Sequence, residues 1–246
     1  MARHFTDTPP EYLTATDSPI TGWGWSMCCW FKPEDNVQND GIYGIYDASS
    51  IGNRSALLTI ASTDTLKLLT SGAAVDVESS NSFTYSTWNC VVWTHEKALR
   101  QIYLNGTKTT DNTNDLQGVP ADLDTLIFGA FRTTSSPADT SLAECAIWDG
   151  RVLSDAEMAA LYAGYSPLFF PEGLVRYWPL GGLLTANDAD YDIVGGVQLT
   201  PVATPTTDDH PSGLIYPSQQ FIPFPSAAGL PIPVASHHYT KNIGAA

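Results

Sequence analysis

Residues 23–31 (WGWSMCCWF) constrain the fold more than any other stretch, because they put apolar bulk on both faces of one strand. Side chains alternate along a strand, so Trp23, Trp25, Met27, Cys29 and Phe31 share one face. Gly24, Ser26, Cys28 and Trp30 share the other. Such a strand must be covered on both sides, as it is inside a packed sandwich. Lys32 and Pro33 end it, and residues 35–40 read as polar loop.

Shorter strands are expected at 41–46, 56–61, 65–69, 75–78, 88–94 (WNCVVWT), 101–104, 126–129 and 142–148 (LAECAIW). Asn105-Gly106 supplies a turn with positive φ directly after 101–104. Many short strands with a turn signal every 8–12 residues predict a sandwich or barrel. The composition agrees, with 7 Trp, 11 Tyr and 9 Phe in 246 residues. One short helix is predicted over 155–163. Ser154 and Glu157 form a capping box, Leu153 can staple to Met158, and Gly164 provides the stop.

Beyond Gly164 lie eleven of the 17 prolines but only two of the 11 basic residues, Arg176 and Lys241. Residues 173–180 (GLVRYWPL) read as a strand with which 197–200 could pair. From 211 onward the chain has no period and frequent proline, so it cannot build its own core. Its apolar residues, Ile215, Tyr216, Phe221, Ile222 and Phe224 among them, are candidate partner-binding anchors. This segment either lies along its own domain or docks on a neighbouring subunit of a homo-oligomer; the second is the expectation adopted. The domain plan is an N-terminal arm at 1–20, the sandwich at 21–210 and a Pro-rich extension at 211–246.

The charge is lopsided, 11 Lys plus Arg against 26 Asp plus Glu, for a net −15. A field of that sign repels phosphate backbones and anionic lipids, which argues against nucleic-acid and membrane partners. The opening residues MARHFTDTPPEYL carry no apolar signal-type run, and no stretch approaches 18 apolar residues, so neither a secretory leader nor a membrane span is expected. Cys28, Cys29, Cys90 and Cys145 lack metal-ligand spacing, and free, partly buried thiols are expected.

Several of these residues resemble, in order, the recurring pieces of the laminin G-like branch of the concanavalin A-like lectin/glucanase superfamily. They are the aromatic strand ending at WFKP (30–33), WNCVVWTH (88–95), IYLNG (102–106), IFG (127–129) and AIWDGRVLSDAEMAALY (146–162). The resemblance covers about residues 20–165. It implies an all-β, jelly-roll sandwich of two antiparallel sheets with one short helix. A segment like GLVRYWPL followed by an Asp- and Gly-rich turn usually opens such a domain, but here it follows the helix. The chain therefore resembles a circularly permuted form, with 173–205 supplying permuted strands. Such tail-extended domains resemble virion components of tailed bacteriophages. The expected function is a non-catalytic structural or binding protein of the virion, a capsid decoration or fibre-associated subunit, assembled in the host cytoplasm with other virion proteins. The alternative is a lectin-like module for glycans, and a distant third is a glycoside hydrolase.

The related glucanases use paired carboxylates in an E-x-D-x-x-E strand, which this chain lacks. Glu144 is expected as a lone rim charge, and the five histidines show no triad-like setting. No cofactor is required. Calcium is a candidate through the alternating Asp188, Asp190 and Asp192, although a solvated acidic turn is the plainer reading and the stretch fails as an EF-hand. For a sugar platform the loop candidates are Tyr43, Tyr46, Asn53 and Arg54.

Overall fold

A computed structural model describes residues 1–34, 39–50, 53–70, 76–108, 122–131, 135–181 and 190–217. In chain order its strands are β1 (Ala2–Phe5), β2 (Tyr12–Thr16), β3 (Trp25–Pro33), β4 (Gly41–Tyr46), β5 (Arg54–Ile60), β6 (Thr65–Thr70) and β7 (Val77–Glu78). There follow β8 (Asn89–His95), β9 (Arg100–Leu104), β10 (Thr107–Lys108), β11 (Thr125–Phe128), β12 (Ala130–Phe131), β13 (Ser135–Pro137) and β14 (Thr140–Asp149). After helix α1 (Asp155–Tyr162) come β15 (Leu174–Trp178), β16 (Thr200–Val202) and β17 (Thr206–Asp208). Among the described residues no helix is long and apolar enough to cross a membrane.

The strands form two main antiparallel sheets, with β12 and β13 paired to each other as a small two-stranded sheet. The first runs β10-β9-β8-β3-β14-β1-β17, with β15 also paired to β14; the second runs β16-β2-β11-β4-β5-β6-β7. Strand β3 pairs with β8 on one side and β14 on the other, the central place its two apolar faces require. Trp25, Met27, Cys29 and Phe31 enter the core between the sheets, against Tyr43, Ile45, Leu57, Leu68 and Phe128 of the second sheet. Cys28 joins a second apolar layer on the outer side, with Val92, Trp148 and Tyr177 beneath Met158 and Leu161 of α1. Each such large side chain contributes roughly 1.5–3 kcal/mol by leaving water.

Helix α1 starts as expected. The Ser154 hydroxyl accepts from the Glu157 backbone N–H, and the Glu157 carboxylate accepts from the Ser154 backbone N–H at 2.9 Å. Leu153 and Met158 share the outer apolar layer. Asn105 and Gly106 have φ of 50° and 78°, the left-handed turn expected there. All four cysteines are free and buried. Burial pushes the Cys28, Cys90 and Cys145 thiols well above their ordinary range.

Two expectations are corrected. Residues 1–20 are not an arm outside the sandwich: β1 pairs with β14 and β17 in the first sheet, and β2 pairs with β11 and β16 in the second. The short sequence ARHF looks too polar for a sheet interior, yet Arg3 is 1% exposed because its Nε donates to Asp190 at 2.6 Å. Residues 197–200 do not pair with β15. Strand β16 instead joins β2 in the opposite sheet, while the Trp178 indole N–H of β15 donates to the Val197 carbonyl at 3.2 Å. The strands beyond Gly164 thus enter both sheets and form no separate subdomain.

Removing one partner of a buried ion pair strands the other charge. Arg3→Met is therefore expected to cost about 3–5 kcal/mol in urea unfolding, with part of the loss recovered when Asp190→Leu is added. Equal or greater loss in the double variant would show that the pair does not act as a unit.

Candidate functional site

Strand β14 carries a bulge where residues 144 and 145 oppose a single residue of β3, between the pairs Ala143↔Trp30 and Ala146↔Cys28. Glu144 takes φ +55° there, a left-handed conformation unusual for a side chain with a Cβ. It is not a rim charge. At 1% exposure it lies beneath the chain at 210–216. The Tyr177 hydroxyl donates to its Oε2 at 2.5 Å and the Tyr216 hydroxyl to its Oε1 at 2.8 Å. His210 Nε2 stands 3.3 Å from the same Oε1. A buried carboxylate needs such donors, because desolvation otherwise disfavours its charge. Burial first, and the Glu144 charge second, push the hydroxyls of Tyr177 and Tyr216 up, which keeps both as donors. Both carboxylate oxygens of Glu144 are thus engaged by tyrosine hydroxyls.

A second buried polar pair was not legible in the sequence, because its members are 40 residues apart. Ser55 Oγ lies 2.9 Å from His95 Nε2 and accepts the Trp93 indole N–H at 3.3 Å. The imidazole is stacked on Trp25 with centroids 4.6 Å apart. A serine–histidine contact suggests a nucleophile and its base, but His95 is fully buried in the intersheet core. Burial first, and the nearby Arg100 charge second, bring its pKa down to about 3. A base at that value takes no proton at neutral pH. The pair is core.

The sign of its pH effect follows directly. A histidine depressed in the fold contributes stability that is complete above its unfolded value of about 6.5 and is lost as pH falls toward about 3. The thermal midpoint of the native protein relative to His95→Gln is expected to narrow steadily between those limits. A constant gap across that range would refute the assignment.

Asp190 and Asp192 are both buried, and both serve protein donors. Asp190 holds Arg3. Asp192 accepts the backbone N–H groups of Tyr177 (2.7 Å), Val194 (2.9 Å) and Gly195 (2.7 Å), with Arg176 at 3.5 Å. A calcium ion would compete with these donors. Asp188 lies outside the described residues, as do Phe221, Ile222 and Phe224. Ile215 is 43% exposed, whereas Tyr216 turns inward to Glu144.

The four sugar-platform candidates separate. Tyr43 is fully buried between the sheets, stacked on Phe128. Tyr46, only 4% exposed, and Arg54 are cross-strand neighbours on the outer face of the second sheet, and Asn53 lies in the loop that joins their two strands. Phe131 of β12 meets Tyr46 edge-on at 5.8 Å, and the Arg54 guanidinium sits 5.4 Å from the Phe131 ring. The chain at β12 approaches β4 so closely that a Cβ on Gly41 would stand 1.9 Å from the Phe131 nitrogen. Beside this cluster the pairing lays Thr16, Thr125, Tyr46 and Arg54 in one row across β2, β11, β4 and β5. Thr200, Thr14 and Ile127 form the next row. Phe131 was missed from the sequence, since nothing local links it to Arg54.

The comparisons agree with this architecture. The model of the concanavalin A-like lectin/glucanases superfamily, in its laminin G form, matches residues 7–159. No curated protein matches the chain. Among solved structures, it is similar to a "putative carbohydrate binding protein" from Bacteroides ovatus, with a TM-score of 0.62 at 16% identity over 85% of this chain. The chain spans 61% of the length of that protein. A heptameric SAP-like pentraxin from Limulus polyphemus gives 0.59 at 15% identity, over 81% of this chain and 93% of the pentraxin. The CBM40 of a Ruminococcus gnavus sialidase, bound to α2,3-sialyllactose, gives 0.50 at 12% identity, over 58% and 84%. Identities so low show a shared fold alone. More than half of the 246 residues fall within the family match, and the chain belongs to the concanavalin A-like lectin/glucanases superfamily.

Proposed function

We propose that this protein is a non-catalytic recognition domain that binds carbohydrate on the outer face of its second sheet. The observation that carries the reading is a half-buried aromatic–guanidinium pair, Phe131 and Arg54, on the outer face of the second sheet. Helix α1 and the segment 165–177 close over the outer face of the first sheet as a second apolar layer. Among the described residues the outer face of the second sheet has only a smaller apolar cluster, in which Tyr46, Ala56 and Ile127 are buried, and it sets half-buried Phe131 and Arg54 beside rows of threonine. Aromatic rings cover the C–H faces of a sugar, while a guanidinium and hydroxyls satisfy its oxygens, the division of labour usual in small-molecule sites. The names of the Bacteroides ovatus and Ruminococcus gnavus structures support the same ligand class. Against hydrolysis stand the engagement of Glu144 with tyrosines and the neutral, buried state of His95.

The setting we propose for this domain is a tailed-bacteriophage virion, as a capsid decoration or fibre-associated subunit. The support is the resemblance of the permuted domain together with the long proline-rich extension that follows it. Mass spectrometry of purified particles tests that placement, and absence of the chain from them would remove it.

Glycan-array screening tests the ligand class. The native chain is expected to bind, and Phe131→Ala and Arg54→Ala are each expected to weaken the best ligand about tenfold, or ~1.4 kcal/mol, with unfolding little changed. Absence of binding across the array, or binding that both variants retain in full, would overturn the proposal.

A further inference from the structure

Beyond α1 the chain at 164–166 runs parallel to the chain at 213–215. The Ile215 N–H donates to the Gly164 carbonyl at 2.8 Å, and the Ser166 N–H donates to the Ile215 carbonyl at 2.9 Å. Gly164 has φ +95°, and a Cβ there would stand 2.8 Å from the Gly213 oxygen, so the two backbones meet with no side chain between them. Along the returning segment Tyr216 turns inward to Glu144, which leaves Ile215 turned outward. Ile215 (43% exposed) lies beside Tyr165 (40%) and Phe169 (38%), whose rings meet edge-on at 5.3 Å. These neighbours form an apolar patch on a firm base, since Glu144 also holds Tyr177, and the Tyr177 hydroxyl accepts a hydrogen bond from Ser166 at 3.3 Å. Scattered exposed apolar residues need no explanation, but contiguous ones mark an interaction surface.

We infer that this patch is a self-association surface that receives residues 221–224 (FIPF) of a second copy of the chain. Past Pro217 there remain 29 residues (246 − 217), which contain no Asp or Glu and a single Lys241. The preceding 217 residues therefore carry a net −16, from −15 for the whole chain less the +1 of Lys241. Two such bodies repel, and the acid-free segment is the part of a neighbour that can approach without that penalty. Pro217, Pro223 and Pro225 favour an extended run and reduce the entropy lost on docking. At roughly 3.1 Å per residue such a run carries Phe224 about 20 Å from Pro217. The patch, by contrast, begins at Ile215, two residues before that proline. A run with that sequence preference would reach a neighbour's patch without the chain reversal needed to reach its own. The inference is independent of the carbohydrate proposal.

The test uses the full chain in sedimentation and light scattering, with Phe169→Ser on the patch and Phe224→Ser on the tail. The native protein is expected to be an oligomer, and each variant is expected to associate at least about tenfold more weakly while keeping the native circular dichroism. Ile215→Ser replaces Phe169→Ser if the latter misfolds. A photo-crosslinker at position 224, in mixed isotopically light and heavy chains, is expected to join the patch of a different copy. A monomeric native chain, an oligomer indifferent to both variants, or crosslinks confined to one copy would each overturn the inference.

Discussion

The architecture depends on β14, which is bordered along its length by β3 on one side and by two strands laid end to end on the other. Strand β1 pairs with residues 140–142 of β14, and β15 pairs with residues 145–148. The handover falls at Glu144, where the bulge shifts register and turns a carboxylate into the outer apolar layer. One extra residue thus lets the first and the late strands of the chain share a single edge. The bulge also sets the donor-lined site on which Tyr216 rests. A buried charge is costly when unpaired, so the closing segment is held by the same requirement that makes Glu144 tolerable there.

Where a pattern is local, it was legible. The alternation of 23–31 located the central strand and sorted its side chains correctly between two layers, and the Ser154–Glu157 box located the helix. What failed rests on partners distant in sequence. Arg3 looks solvent-bound until Asp190, 187 residues away, is brought beside it. Glu144 looks like a rim residue until Tyr177 and Tyr216 converge on it. The alternation of Asp190 and Asp192 suggested one cation, but each carboxylate is engaged by donors from another part of the chain. On the candidate binding face, Tyr46 and Arg54 were in view and Phe131 was not, since β12 folds across β4 by a close approach at Gly41 that leaves no mark in composition.

The charge balance is also used more selectively than a net value conveys. Arg3 and Arg100 are buried. Arg176 makes a two-pronged contact with Asp17, at 2.7 and 2.8 Å, and Lys32 pairs with Asp208 at 2.5 Å. The pairs Arg3–Asp190, Arg176–Asp17 and Lys32–Asp208 each join a segment within the first 33 residues to one beyond residue 170, and so fasten early and late parts of the chain together. Charge-assisted bonds of this kind are strong when shielded from water.

Among the described residues the outer faces of the two sheets carry apolar layers of different extent, which gives the molecule a front and a back. The segment bearing Tyr216 leaves across the outer side of the first sheet, while Phe131 and Arg54 lie on the outer side of the second. The thickness of the sandwich stands between them. Whatever holds this protein through the segment at 210–217 holds it from behind, with the opposite sheet turned away from the point of attachment.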